Sequence, residues 1–376
     1  MINSTERNDI LVFNCYLCHV RFLLTCYVCS TKIGEISDIF KCFEDFVSQT
    51  LGVLTRIYAA ELRFNTKMTK LDFKQMFENV NKYYSFVVCY HLNDNKDIIL
   101  QDSHKGKCRF CGKGQPNVTF KKVAHAIPHF IGNQTLKSEY ECDECNQLFS
   151  MYESQFAEYM KLHHVFAKVN KGGGKIPKYK NNSSEQSSIS IDTNGFNIKC
   201  VEGEQLKVDL DIDNKSFSVK GKRSYIPQYV YKALTKMALT IMPESELKYF
   251  EHTLSWLQEQ RECGPGLKMI ERLYQARFPF NSCMIFKRKN DNDDVPAYIF
   301  GLAYFNFFIQ IPIPLCDKDF SKQRKSLTMP YIPTPLDEEK IPCFCGVKDL
   351  SSTEKAKDED VSMVFSFGAF EEMSGK

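Results

Sequence analysis

Apolar residues recur at helical spacing from Leu71 to Tyr84, at Leu71, Phe73, Met76, Phe77, Val80 and Tyr84, and predict a helix there. Ser85 to Tyr90 follows as a short buried strand. A second helical stripe starts near Cys142 and runs through Leu148, Phe149, Tyr152, Phe156 and Tyr159. Aromatics stacked that densely on one face are read as packing rather than as a platform for bases. From Ile189 the period changes to alternation, with strands at 189–191, 196–201, 206–212 and 216–219. Polar turns at Thr193–Gly195 and Asp213–Lys215 separate them. Two helices come next: one carries Val230, Leu234, Met237, Ala238 and Ile241, and Pro243 opens another with Leu247, Phe250, Leu254 and Leu257. Further strands are expected at 282–287, 297–304, 306–311 and 362–367. The pattern as a whole predicts an α+β protein.

A chain of 376 residues suits two or three domains. The stretch 170–188 breaks the apolar pattern with Gly172–Gly174 and Asn181–Ser184, and reads as a linker. Gly172 to Lys175 is not a phosphate-binding loop, since it lacks the spaced Gly-Lys-Ser/Thr and no strand leads into it. The expected division is an N-terminal extension at 1–67, a module at 68–169, the linker, and a larger α+β domain at 189–376. Residues 1–67 admit three readings. Cys15, Cys18, Cys26 and Cys29 have the spacing of a tight zinc knuckle. The run from Ile10 to Cys29 is long enough to span a membrane, but Arg21 near its centre costs about 2.5–3.5 kcal/mol there. Translation starting at Met68 is the third reading, and it is favoured.

Composition is that of a soluble globular chain, with 43% hydrophobic and 25% charged residues. A net charge of +3 does not by itself point to nucleic acid. Its distribution does more: Lys105 to Lys180 holds 12 Lys and 1 Arg against 6 Asp and Glu, a local surplus of 7. No secretory leader pattern opens the chain, so the 16 cysteines are read as reduced thiols of a cytoplasmic protein, with no membrane partner.

Four of those cysteines carry the sharpest signal. Cys108-x-x-Cys111 and Cys142-x-x-Cys145 lie about thirty residues apart, each pair able to turn a knuckle around one ion. Four thiolates at that spacing suit a closed tetrahedral zinc site that staples a small fold. Between the pairs stands Ala124-His125-Ala126-Ile127-Pro128, and Asn146 follows the last cysteine directly.

This arrangement resembles the HNH, or ββα-metal, endonucleases, and in particular the zinc-stapled branch that includes phage-type endonuclease VII. The likeness rests on Cys108, Cys111, His125, Ile127, Pro128, Cys142, Cys145 and Asn146 and covers about residues 105–160. It implies a β-hairpin carrying His125 and a helix beginning near Cys142. His125 is then the general base that activates water, and Asn146 a ligand of a catalytic Mg²⁺ or Mn²⁺. Asn133 is a further site candidate, with a plain turn after Gly132 as its other reading. The implied substrate is DNA, a homodimer is one admissible assembly, and restriction or phage defence is the implied setting.

One position departs from the family. The residue before the base histidine is usually Asp or Glu and binds the cation; here it is Ala124. Glu153 is the expected replacement, seven residues after Asn146 on the same helix face, with His129 as another source. Two rival readings stay open: a nucleic-acid-binding zinc module with a degenerate nuclease site, and a zinc-stabilised interaction scaffold. No catalytic group is expected from the C-terminal half, which is read as a recognition module; Cys343-Phe-Cys345 is too close-set for a metal site.

Overall fold

The computed structural model describes residues 11–12, 72–92, 96–103, 105–167, 178–180, 186–192, 195–259, 266–320 and 327–366. The readings placed on Cys15, Cys18, Cys26 and Cys29, on a membrane span near Arg21 and on a start at Met68 lie outside these residues, as does most of the expected linker.

Helix α1, Phe73–Tyr83, begins where the Asp72 carboxylate accepts the Gln75 N–H at 3.1 Å. Its Met76 and Val80 are buried, and the chain passes at once into strand β1, Tyr84–His91. β1 joins a strand nearly two hundred residues away. It pairs antiparallel with β10, Ser282–Arg288, in the register Cys283 to Tyr90. The sheet continues through β11 (Tyr298–Tyr304), β12 (Phe307–Pro312), β9 (Lys268–Tyr274) and β13 (Cys343–Asp349), in the order β13-β9-β12-β11-β10-β1. Every pairing is antiparallel. All seven residues of β11 are buried, so both faces of the sheet are covered at its centre.

A second, smaller sheet carries the site. β2 (Ile98–Leu100) runs parallel to β4 (Leu136–Ser138), and β3 (Ala124–His125) runs antiparallel to β4. Helix α2, Asp143–Phe166, follows with Cys142 as its first cap residue. The aromatic stripe is packing as expected: Phe149, Tyr152, Phe156 and Tyr159 are all buried.

The alternating segment forms a hairpin of β5 (Ser188–Asp192) and β6 (Gly195–Lys199). It also supplies β7 (Lys207–Asp211) and β8 (Ser216–Tyr225), which pair antiparallel and, with β14 (Ala356–Ser366), make a sheet ordered β14-β8-β7. Helix α3, Pro227–Ile241, starts with proline at its first turn, and α4, Glu251–Gln258, follows a 3₁₀ turn opened by Pro243.

The compact units do not follow the expected division at 189. One unit gathers 1–65, 178–221 and 361–376; the other gathers 66–177 with 222–360. α3 gives the physical reason. Residues on all its sides are buried, Tyr231, Ala233 and Leu239 as well as the expected Val230, Leu234, Met237 and Ile241. A helix buried all round has to be wrapped, and α2 is one of the elements that cover it. Among the described helices none is long and apolar enough to cross a membrane.

Candidate active site and metal centre

The first knuckle is a turn in which the Cys108 N–H donates to Lys113 O at 2.8 Å and the Gly112 N–H to Cys108 O at 2.9 Å. Gly112 sits at φ +69°, a conformation that glycine takes without strain. The second pair rides the start of α2, with Cys142 at the cap and Cys145 in the first turn. Asp143 between them is tied down by three donors: the Thr119 hydroxyl, the Lys121 N–H at 2.9 Å and the Lys122 N–H at 3.0 Å. These bonds, the hydroxyl foremost, hold its carboxyl below the usual range.

All four sulfurs lie within 4.8 Å of one another. Cys108 Sγ is 3.7 Å from Cys145 Sγ, and Cys111 Sγ is 3.8 Å from Cys142 Sγ. Four sulfurs at about 2.3 Å from a tetrahedral zinc stand about 3.8 Å apart, so the cluster has the size that ion needs. The cysteines are free thiols, and Cys108, Cys142 and Cys145 are buried. Gln258 of α4 donates to Cys145 Sγ at 3.6 Å.

His125 is the second residue of β3 and pairs with Lys137 of β4. Its ring lies 3.8 Å, centroid to centroid, from that of His129 in the 3₁₀ turn His129–Ile131. Burial, then the charges of His129, Lys137 and Lys236, lower the His125 pKa to about 4, with Asp97 opposing. The imidazole is therefore neutral at neutral pH, the state a general base requires.

The loop behind His125 is closed by Asn133, which is fully buried. Its amide donates to Ile127 O at 2.6 Å and Leu136 O at 2.8 Å, and accepts the Leu136 N–H at 2.9 Å. With both ends of the amide bound to main chain and no exposed face, Asn133 is a clamp on the hairpin. Of the two readings of Asn133, site residue or plain turn after Gly132, these bonds support the turn. Gly132 before it stands at φ +97°, and a Cβ there would meet Asn281 Nδ2 at 2.8 Å, so both conformation and space demand glycine.

Asn146 is half-buried in the first turns of α2, and its side chain makes no hydrogen bond among the described residues. Glu153, two turns further along, accepts from Lys236 Nζ at 3.3 Å. That same ammonium donates to the His125 carbonyl at 3.1 Å and lies 3.2 Å from Glu141 Oε2. So Glu153 does face the His125 strand, but an ammonium already holds it. Burial and the neighbouring Glu153 push the Glu141 carboxyl up to about 7 against the pull of Lys236. Burial opposes the charge on Lys236, yet the two carboxylates outweigh it and raise its pKa.

Ala124, at the position of the family's cation-binding carboxylate, is buried against the hairpin. Among the described residues the four cysteines are the one group of three or more metal-binding side chains close enough to share an ion. His125, His129, Asn146 and Glu153 therefore do not make a preformed cage of hard oxygen ligands. Asn146 is the open donor of the set.

Lys236 and Glu141 are the residues that the sequence reading missed. Their signal was faint: two lysines, Lys232 and Lys236, interrupt an otherwise apolar helix four residues apart. A lysine on a buried face needs acceptors, and α2 and the segment before it supply them.

Comparison with known proteins adds to this geometry. No curated protein and no solved structure matches the chain. Residues 108–159 match the model of a family described as HNH endonuclease. The segment that holds the thiol cluster, His125 and Asn146 is thus similar to HNH endonucleases, and it is set inside a larger α+β protein.

Proposed function

We propose that this module hydrolyses phosphodiester bonds in DNA, and the observation that carries the reading is a neutral His125 fixed on a clamped hairpin beside α2. His125 takes a proton from water, the water oxygen attacks phosphorus, and the 3′ oxygen leaves. A divalent cation, Mg²⁺ or Mn²⁺, when bound would neutralise charge on the phosphate, and Asn146 is the residue to hold it. Cys108, Cys111, Cys142 and Cys145 hold a structural zinc that fixes the start of α2 against the knuckle. Exposed Lys105, Lys107, Lys113, Lys121 and Lys122 around the knuckle support a polyanionic substrate. A cytoplasmic role in restriction or phage defence is the setting suggested by the resemblance to zinc-stapled HNH enzymes.

A second reading has its own observation. Ala124 offers no cation ligand and Glu153 is committed to Lys236, which suits a module that binds DNA without cutting it. One experiment separates the two: nicking of supercoiled plasmid by the protein and by His125→Ala, with Mg²⁺, Mn²⁺ or EDTA. Metal-dependent nicking that disappears in His125→Ala is the expected result. Retention of DNA on a gel with no cleavage under any metal would establish the binding reading instead.

A further inference from the structure

We propose that Lys236, delivered by α3 from beyond the family-matched segment, is a positioning residue for His125, with Glu141 and Glu153 as its counter-ions. The inference rests on the nuclease reading for its effect on rate, but not for its effect on the His125 strand. An ammonium has three hydrogens and no acceptor capacity. Lys236 Nζ has three oxygen neighbours at hydrogen-bonding or ion-pairing distance: His125 O at 3.1 Å, Glu141 Oε2 at 3.2 Å and Glu153 Oε1 at 3.3 Å. The side chain is 1% exposed, so water does not compete for those hydrogens.

The three acceptors come from three places. His125 is on β3, Glu141 precedes the cap of α2, and Glu153 lies in the body of α2. Any module of this kind has to fix the strand that carries its base against the helix that faces the phosphate. Here one buried cation does so, and it belongs to neither element. Because Nζ meets the carbonyl of His125 itself, a shift of α3 moves the base without an intermediate residue. Burying an ammonium costs several kcal/mol unless it is fully paired, so the position is retained only with both carboxylates in place. Glu153 is accordingly assigned to Lys236 and not to the catalytic cation. α3, in the half of the chain read from sequence as recognition alone, becomes part of the catalytic framework.

Lys236→Met would strand the buried Glu141 carboxylate and the half-buried Glu153 and risks misfolding, so the test pairs it with two other forms of the full-length protein. In Lys236→Arg the cation is kept; in the triple variant Lys236→Met, Glu141→Gln, Glu153→Gln the site is neutral and closer to balanced. Zinc content and circular dichroism establish folding, and the His125 imidazole resonances, assigned with His125→Ala, report its position. In the folded triple variant we expect His125 resonances to shift or split. Plasmid nicking should fall about 100-fold in kcat with KM held within about twofold, the size of loss that an ångström of misplacement brings. Lys236→Arg should recover a part of kcat. Unchanged His125 resonances in the folded triple variant would overturn the proposal, whether or not the protein cuts DNA. If the unaltered protein does not nick DNA at all, the nuclease reading fails, and the resonances still decide the role of Lys236.

Discussion

The Arg109 guanidinium, one residue past the first cysteine of the cluster, donates to the Met242 carbonyl at 2.8 Å, just beyond the end of α3. The same nitrogen reaches Leu239 O at 2.8 Å and Thr240 O at 2.9 Å, while the remaining nitrogens grip Asp102. A helix leaves its last carbonyls without partners and carries partial negative charge there, and the knuckle supplies the cation that satisfies both needs. Tyr140, under the guanidinium at 3.8 Å, adds its hydroxyl to Thr240 O. The thiol cluster thus holds α3 at one end while Lys236 holds it in the middle.

Arg109→Ala is expected to destabilise the protein by about 3–5 kcal/mol, since it leaves the largely buried Asp102 without its cation and the Leu239 and Met242 carbonyls without this donor. Urea denaturation checks this. A loss below about 1 kcal/mol would mean that water takes over the helix end.

The cluster of Cys108, Cys111, Cys142 and Cys145 predicts one bound zinc at this site and a module that depends on it. Dialysis against a strong chelator, or Cys145→Ser, should release the ion and melt α2 from its start, seen as lost ellipticity and lost DNA binding together. A chelated protein with its helix content intact would show that the thiols close without metal.

Acidity is expected to act on His125 twice. Its pKa in the fold lies near 4 against an ordinary value near 6.5, so it remains an unprotonated base well into the acid range. Nicking should therefore hold its rate to about pH 5 rather than fall by half near 6.5. Stability goes with the same shift. Between about 6.5 and 4 the unfolded chain binds a proton that the folded chain does not, so stability falls as pH drops through that window. His163, lowered by burial to about 3, adds in the same direction. Glu141, pushed up to about 7, acts in the opposite direction over the same window, so the check is the His125 imidazole resonance itself: titration near 6.5 would contradict its assignment.

The two asparagines should separate cleanly. Asn133→Ala removes three buried hydrogen bonds and is expected to cost about 2–4 kcal/mol, with activity lost through the fold. Asn146→Ala, which breaks no internal bond, should leave the denaturation midpoint within about 0.5 kcal/mol and change the divalent-metal requirement of nicking. The reverse pattern would exchange their roles.

For DNA binding, Lys121→Ala with Lys122→Ala should weaken affinity equally across sequences and reduce the salt slope by about 2, one for each phosphate that is no longer neutralised. An unchanged slope measured by fluorescence anisotropy would move the binding face elsewhere.

Much of the site was written in local spacing. Cys-x-x-Cys fixes a knuckle whatever surrounds it, and Cys142 capping α2 follows from the helical stripe that starts there. Asn133 was harder to read, because a buried clamp and an open ligand use the same amide, and only burial tells them apart. β9 escaped notice for a related reason. Glu271 and Arg272 break its apolar run, yet Arg272 is buried in the sheet and paired with Asp337 at 2.9 Å. Lys236 was out of reach because its three acceptors lie 83–111 residues away in sequence. Long-range pairs of opposite charge leave no period along a chain.

β1 carries a consequence of another kind. Its hydrogen-bonding partner β10 lies 191–204 residues further along the chain, from Ser282 opposite His91 to Arg288 opposite Tyr84. At ordinary synthesis rates of roughly 5–20 residues per second, the strand leaves the ribosome about 10–40 s before β10 exists. For that time its edge, with Phe86 and the apolar face of α1 beside it, has nothing of its own to pair with. An HNH segment cut from the chain with β1 attached would keep that exposed edge for good, so soluble expression of the module alone should require deleting residues before Asp97.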